Sequence, residues 1–292
     1  MAIKIRIIAA LLILLTAIGV MYYSGTQLIQ TQQTYEIGDS NYQNLRDQVR
    51  KSEIIDNLDI ADLNSIEIAE MIEKPDKQEK PDKSEKPEKP GDEAGTYTAP
   101  KPQIHIPDLG IDFDAVKALN SNIAAWLYCP GTAIDYPVMK ADNYAYYLTR
   151  LPDGTANANG SLFIDFNHAP DFGDPLTIIY GHHMKSGSMF GSLIEYKKQT
   201  YYKEYPFMYL YTEHKNYRID LKYGCLIGKD KWKEEAFMYA ENLDSLLSYA
   251  KSNTTFESTA PYEAGDRIIA LSTCAYDFND ARYILVGILR EQ

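Results

Sequence analysis

Three regimes of apolar and polar residues follow one another along the chain. The first is an unbroken apolar run from Ile7 to Tyr23, preceded by Lys4 and Arg6. Its about 17 residues reach the low end of what a helix needs to cross a bilayer. A basic flank stays on the cytoplasmic side, so the pattern predicts a signal anchor over 1–25 that sends the rest of the chain out of the cytoplasm. No small-residue cleavage site follows, which favours an anchor over a removed signal peptide. No Cys follows that could carry a lipid. From Tyr35 to Glu73 apolar residues such as Leu45, Val49, Leu58 and Ile66 recur at three- and four-residue steps, which predicts helix. The expected role of 26–72 is a solvated helical stalk. Then comes "EKPDKQEKPDKSEKPEKPGDEAGTYTAPKP", Glu73 to Pro102, a degenerate Glu-Lys-Pro repeat. Mixed charge, low hydrophobicity and frequent Pro predict a disordered linker over 73–102. At about 3.1 Å per residue in polyproline form it would reach roughly 90 Å. Anchor, stalk and spacer together predict a domain held away from a membrane, with residues up to Pro102 dispensable for chemistry.

The third regime, 103–292, predicts a folded domain of short strands. "SLFIDF" and "LTIIYGH" are two candidates, and "YRIDLKYGCLIG" alternates Tyr217, Ile219, Leu221 and Tyr223 with period two. "RIIALSTC" and "ARYILVGIL" follow near the C-terminus, joined by a short polar loop. Helical patterns are fewer: "DFDAVKALNSNIAAWL", "GSLIEYKKQTYYKEY" and "NLDSLLSYAKSN". The fold class is mainly β, a closed barrel or sandwich with added helices.

Composition narrows the function. The formal net charge is -12, spread through the chain, which counts against a nucleic-acid partner, since that would need a basic face. The three cysteines, Cys129, Cys225 and Cys274, form no C-x-x-C pair and are odd in number. At least one free thiol is implied, and outside the cytoplasm a free thiol needs a reason. Cys129 and Cys225 are expected to pack in the core or in half-buried strands.

A Cys closing an apolar strand is ordinarily a small hydrophobe, and an Arg at a hairpin mouth is ordinarily solvated. Other residues argue against both readings here. His182 and His183 follow the buried-looking run Leu176 to Tyr180, at a strand end. Adjacent residues of a strand face opposite ways, and no zinc-type spacing is present, so no metal or other cofactor is expected. A thiol and an imidazole at two strand ends can instead pair, the imidazolium favouring the nucleophilic thiolate. Ser272 and Thr273 add hydroxyls for a substrate backbone. If the last two strands pair antiparallel, Cys274 and Arg282 lie side by side at the hairpin mouth. The guanidinium fork could then polarise a carbonyl or hold an oxyanion.

"LSTC", followed by Arg282 eight residues on, together with "YGHHM", resembles the sortases, and class B in particular. "DYPVMKADNYAYYL" and "MKSGSMFGSLIEY" match as well, and the likeness runs from about Pro102 to Gln292. The resemblance implies an eight-stranded sortase-type β-barrel behind an N-terminal membrane helix, and a cysteine transpeptidase. By that resemblance Cys274 attacks the carbonyl of the Thr in a C-terminal sorting signal of a surface protein. His182, directly after Gly181, acts as acid and base, with His183 facing away, and Arg282 stabilises the oxyanion. An amine acceptor, from a peptidoglycan precursor or a pilin lysine, resolves the thioacyl enzyme. Tyr180, Ser272, Thr273 and Asn143 would line the substrate groove. Class B enzymes commonly favour Asn-Pro-x-Thr over Leu-Pro-x-Thr signals. The partners implied are such surface proteins, the acceptor and the cytoplasmic membrane.

Three rivals fit less of the chain. A phosphatase-like Cys/Arg loop would be tight, Gly-containing and followed by a helix, whereas here seven residues without Gly separate Cys274 from Arg282. A papain-like protease would place Cys before His. An inactive tethered binding domain would not need to retain both.

Overall fold

The computed structural model describes residues 2–50 and 104–292. Eight strands close a barrel: β1 (Ile123–Tyr128), β2 (Asp135–Lys140), β3 (Leu162–Ile164), β4 (Leu176–Tyr180), β5 (Phe207–Tyr211), β6 (Asn216–Gly228), β7 (Arg267–Cys274) and β8 (Ala281–Glu291). Their order around the barrel is β1-β2-β3-β4-β7-β8-β6-β5, closed by β1 against β5. The pairs β2–β3 and β4–β7 are parallel and the others antiparallel. The expected mainly β, eight-stranded barrel is the observed architecture.

The strands β4, β7 and β8 read as continuous apolar runs because both of their faces are covered. Ile179, Leu271, Tyr283 and Leu285 belong to the cluster that fills the barrel. Ile178, Ala270, Ile284 and Val286 face a second apolar layer with Trp232, Phe237, Leu246 and Ala250. Those covering residues come from three short helices in the β6–β7 connection: α4 (Lys229–Trp232), α5 (Glu235–Met238) and α6 (Leu243–Ser252). A strand covered on both faces loses its period-two signature.

Two helical expectations change. In "DFDAVKALNSNIAAWL" only α2 (Phe113–Leu119) is helical, capped by the Asp112 carboxylate on the Ala115 N–H; "IAAWL" is the core of β1. Ile123, Ala125 and Trp126 are buried between barrel neighbours, and that burial overrides the helix propensity of the two alanines. "GSLIEYKKQTYYKEY" divides into a 3-10 turn (Gly191–Lys197) and α3 (Gln199–Glu204).

The larger correction concerns the stalk. One helix, α1 (Ala2–Val49), runs from the apolar N-terminus without a break, and it is long and apolar enough to cross a membrane. Its last turns are not solvated. Tyr42, Leu45 and Val49 are buried in the same cluster that fills the barrel, with Tyr35 packed beside them. The Tyr42 hydroxyl donates to the Gly160 carbonyl. Arg46 donates to the Asp135 carbonyl at 3.1 Å, and Arg50 forms an ion pair with the Asp135 side chain. The three- and four-residue apolar spacing therefore marks a face that docks on the chain's own barrel. At its end, Arg50 bridges Ile111, and the Asp112 N–H donates to the Val49 carbonyl at 2.8 Å. Residues 51–72 of the expected stalk, the linker 73–102 and Gln103 lie outside the described residues. The described residues on either side both lie on the body of the barrel: Arg50 bridges Ile111, and Ile104 packs against the core. α1 itself connects the apolar segment to the barrel; the spacer expected at 73–102 falls on residues that are not described.

The end of α1, from Tyr35 to Val49, is thus part of the folded body. Removing the buried Tyr42, Leu45 and Val49 side chains forfeits roughly 4–9 kcal/mol of apolar burial as an upper estimate. A chain beginning at Gln103 is expected to have a clearly lower urea midpoint than one beginning at Thr26. Equal midpoints would mean that the docked helix contributes nothing.

Candidate active site

The site is built where three strand ends meet. In the parallel β4–β7 pair Tyr180 stands opposite Ser272. Beyond it the pairing continues without regular ladder geometry: the Gly181 N–H donates to the Ser272 carbonyl at 3.2 Å, and the buried Thr273 hydroxyl donates to the Gly181 carbonyl at 2.9 Å. A side chain at 181 would drive its first carbon to 2.4 Å from Leu162 and 2.6 Å from the Phe190 ring. Glycine is therefore what lets the "GHH" segment run against "STC".

The two histidines have different partners. The Nε2 of His182 lies 2.6 Å from the Leu148 carbonyl. A carbonyl oxygen only accepts, so Nε2 carries the proton in this contact, and in the neutral ring Nδ1 is the free base. His183 turns the other way and donates from Nδ1 to the carbonyl of Cys274 at 2.8 Å, its ring 5.1 Å from that of Tyr276. His183 thus holds the main chain of the cysteine rather than its sulfur.

In the antiparallel β7–β8 pair Cys274 is the register partner of Arg282. The loop between them is drawn tight by the Ala275 N–H on the Ala281 carbonyl at 2.9 Å. The loop acids are engaged elsewhere, Asp277 with Lys197 at 2.6 Å and Asp280 with Lys229 at 4.0 Å. Arg282 makes no ion pair among the described residues; one of its N–H groups donates to the neighbouring Ala281 carbonyl at 2.9 Å. Its fork is not consumed in neutralising the loop.

His182, Cys274 and Arg282 line one groove of about 710 Å³, with Tyr180, Ser272 and Thr273 along it. Asn143 is not on it. Its side chain accepts from the Ala145 and Tyr146 N–H groups, both at 2.9 Å, and so shapes the turn outside. Its neighbour Tyr144 takes the position on the wall.

Sequence reasoning missed most of the groove's walls. Tyr144 and Tyr180 both donate to one oxygen of the fully buried Asp165 at 2.9 Å, and the other oxygen takes the Asn167 N–H at 2.9 Å. Burial, with the carboxylate beside it, holds the Tyr180 hydroxyl well above the usual phenol range, so it stays a donor to Asp165. The facing wall is Trp232, Met238 and Tyr239, from α4, α5 and the residue after it. A polar residue closing β3 in "FIDF" was the available signal for Asp165. Nothing local marked the second wall, because it depends on where the β6–β7 helices fold back.

Cys274 is the partly exposed cysteine; Cys129 and Cys225 are buried. Burial pushes their thiols up to about 11 and about 12. Iodoacetamide at pH 8 is therefore expected to alkylate Cys274 alone in the native protein, with the other two reacting only in urea. Native labelling of Cys129 or Cys225, read by peptide mass mapping, would contradict this.

No family model matches the chain. It is 30% identical over 177 residues to sortase B of Listeria monocytogenes, covering 60% of this chain and 72% of that one. Against sortase B of Staphylococcus aureus it is 26% identical over 178 residues, 60% and 73% of the two chains. The crystal structure of sortase B from Bacillus anthracis superposes with a TM-score of 0.56 at 28% identity, covering 62% of this chain and 84% of that one.

Proposed function

Because the chain belongs to the class B sortases, which makes it a cysteine transpeptidase, we propose that it cleaves a C-terminal sorting signal after Thr and transfers the new carboxyl end to an amine. The observation that carries this is the pair of strand pairings that bring His182, Cys274 and Arg282 into one groove.

The reaction runs in two halves. The Cys274 thiol gives its proton to Nδ1 of His182, and the sulfur attacks the carbonyl carbon of the signal's Thr. The Arg282 fork faces the developing oxyanion, in a groove with apolar walls where a charge-assisted contact is stronger than in water. The C–N bond breaks, and the imidazolium returns the proton to the departing amine. The Leu148 carbonyl, by holding Nε2–H, keeps the ring's basic nitrogen the same through both halves. The acceptor amine, from a peptidoglycan precursor or a pilin lysine, then loses its proton to His182, attacks the thioester carbon and expels the thiolate. Tyr180, Ser272 and Thr273 line the peptide's path, with Tyr144 in the place first given to Asn143. The α1 apolar segment anchors the enzyme in the cytoplasmic membrane with the barrel outside.

The test is cleavage of a peptide library built on Asn-Pro-x-Thr and Leu-Pro-x-Thr, with the cut bond and acceptor product identified by mass spectrometry. Cys274→Ala is expected to abolish cleavage, and His182→Ala to lower it by several orders of magnitude. Arg282→Lys keeps the charge but loses the fork, and is expected to lose at least about a hundredfold in kcat/KM with its circular dichroism unchanged. Near-normal turnover by Arg282→Lys would remove the oxyanion role; full activity in Cys274→Ala would remove the whole reading.

A further inference from the structure

The helix that carries the apolar N-terminus is fastened to the loop behind His182. Asn157 donates to the Thr34 carbonyl at 2.8 Å. Asn159 donates to the Tyr35 carbonyl at 3.3 Å and to Asp39 at 3.1 Å. Tyr42, 1% exposed, donates to the Gly160 carbonyl. Gly160 has a left-handed φ of 60°, and a side chain there would start 2.7 Å from the Leu148 carbonyl and 3.0 Å from the His182 ring. One residue therefore separates the helix from both the imidazole and the carbonyl that orients it.

Between the apolar run and this clamp the helix stands alone. Residues 27–33 are exposed, and the helix is unbroken through them. Counting residues then gives a height. From Tyr23, which with Tyr22 forms an aromatic pair suited to the membrane interface, to the first clamp at Thr34 is about 16 Å, and to Tyr42 about 28 Å. Tilt shortens both. The headgroup layer takes up roughly 5–8 Å of this, which leaves the barrel about 10 Å above the lipid surface. Residues 51–103 do not enter the count, since Arg50 before them and Ile104 after them both lie on the body of the barrel.

We propose that α1 is a rigid ruler that fixes the groove's distance from the bilayer and so restricts the enzyme to scissile bonds presented within about 30 Å of the hydrocarbon edge. The inference rests on the membrane-anchored sortase reading above.

The test uses the full chain in lipid vesicles and the best-cleaved peptide of the library. The peptide is presented either free in solution or on a transmembrane anchor through spacers of graded length. The tethered peptide is expected to show an optimum spacer length. Seven helix-forming residues inserted between Gln30 and Thr31 add two turns, keep the docking face in phase, and should move that optimum outward by about 10 Å. Replacing residues 27–33 by a Gly/Ser linker of equal length should broaden it. Deleting 73–102 should leave it in place. Cleavage of the free peptide should be the same for all four proteins. An optimum that ignores the insertion, or that moves when 73–102 is deleted, overturns the ruler. Failure of the unaltered chain to cleave the free peptide overturns instead the sortase reading beneath it.

Discussion

The close approach of Gly181 to β7 is the contact on which the rest of the site depends. Two hydrogen bonds, from its N–H to Ser272 and from Thr273 to its carbonyl, extend a parallel strand pair past its regular end. Three consequences follow from that extension. His182 is carried to the level of Cys274, His183 is placed to hold the Cys274 carbonyl, and the groove acquires a floor from Tyr180 to Thr273. A parallel pair brings matching ends of two strands together, whereas a hairpin would have placed the histidines at the far end of the cysteine strand. The β7–β8 hairpin then adds Arg282 from the other side. The site is thus a product of topology, with two loops supplying only short continuations.

The same economy links the site to the long N-terminal helix. That helix docks directly on the barrel. The last turns of α1 are part of its core, and the loop they grip is the one that packs behind His182. Asp135 shows how firmly the far end is held. It pairs with Arg50 and also accepts from the Trp126 indole at 2.7 Å, so a barrel carboxylate is satisfied partly by the helix. Removing the helix with Arg50 would leave that partly buried charge without both of its arginine partners, a cost beyond the apolar area lost.

Much of this was legible in the residues. The apolar runs at β4, β7 and β8 and the period-two alternation at β6 stood out because short stretches rich in β-branched and aromatic residues, bounded by turn residues, fit strands better than helices. The juxtaposition of Cys274 with Arg282 followed from hairpin geometry alone. The helical phase of Leu45 and Val49 was visible too, but a periodic stripe does not say what it packs against. The partner here, the 157–161 loop and Asp135, lies more than a hundred residues away for the loop, beyond any local signal. β1 was hidden by its alanines, whose burial is set by neighbours in the barrel. Asn143 lies beside the groove and Tyr144 on it for a similar reason: which of two adjacent residues faces the groove is decided by the turn that Asn143 itself caps. The wall of Trp232, Met238 and Tyr239 was illegible because it exists only after the β6–β7 helices have folded over the outer faces of the strands.

The central claim is that the sulfur of Cys274 carries the acyl group between donor and acceptor. Intact-mass spectrometry of the protein mixed with a cleavable sorting peptide, quenched in acid, tests it most directly. The expected result is a species heavier by the acyl fragment ending in Thr, located by peptide mapping on Cys274. That species should be discharged by an added amine, with formation of the corresponding amide. Cleavage with no adduct at any time in a quench series, or an adduct on any other residue, would contradict it.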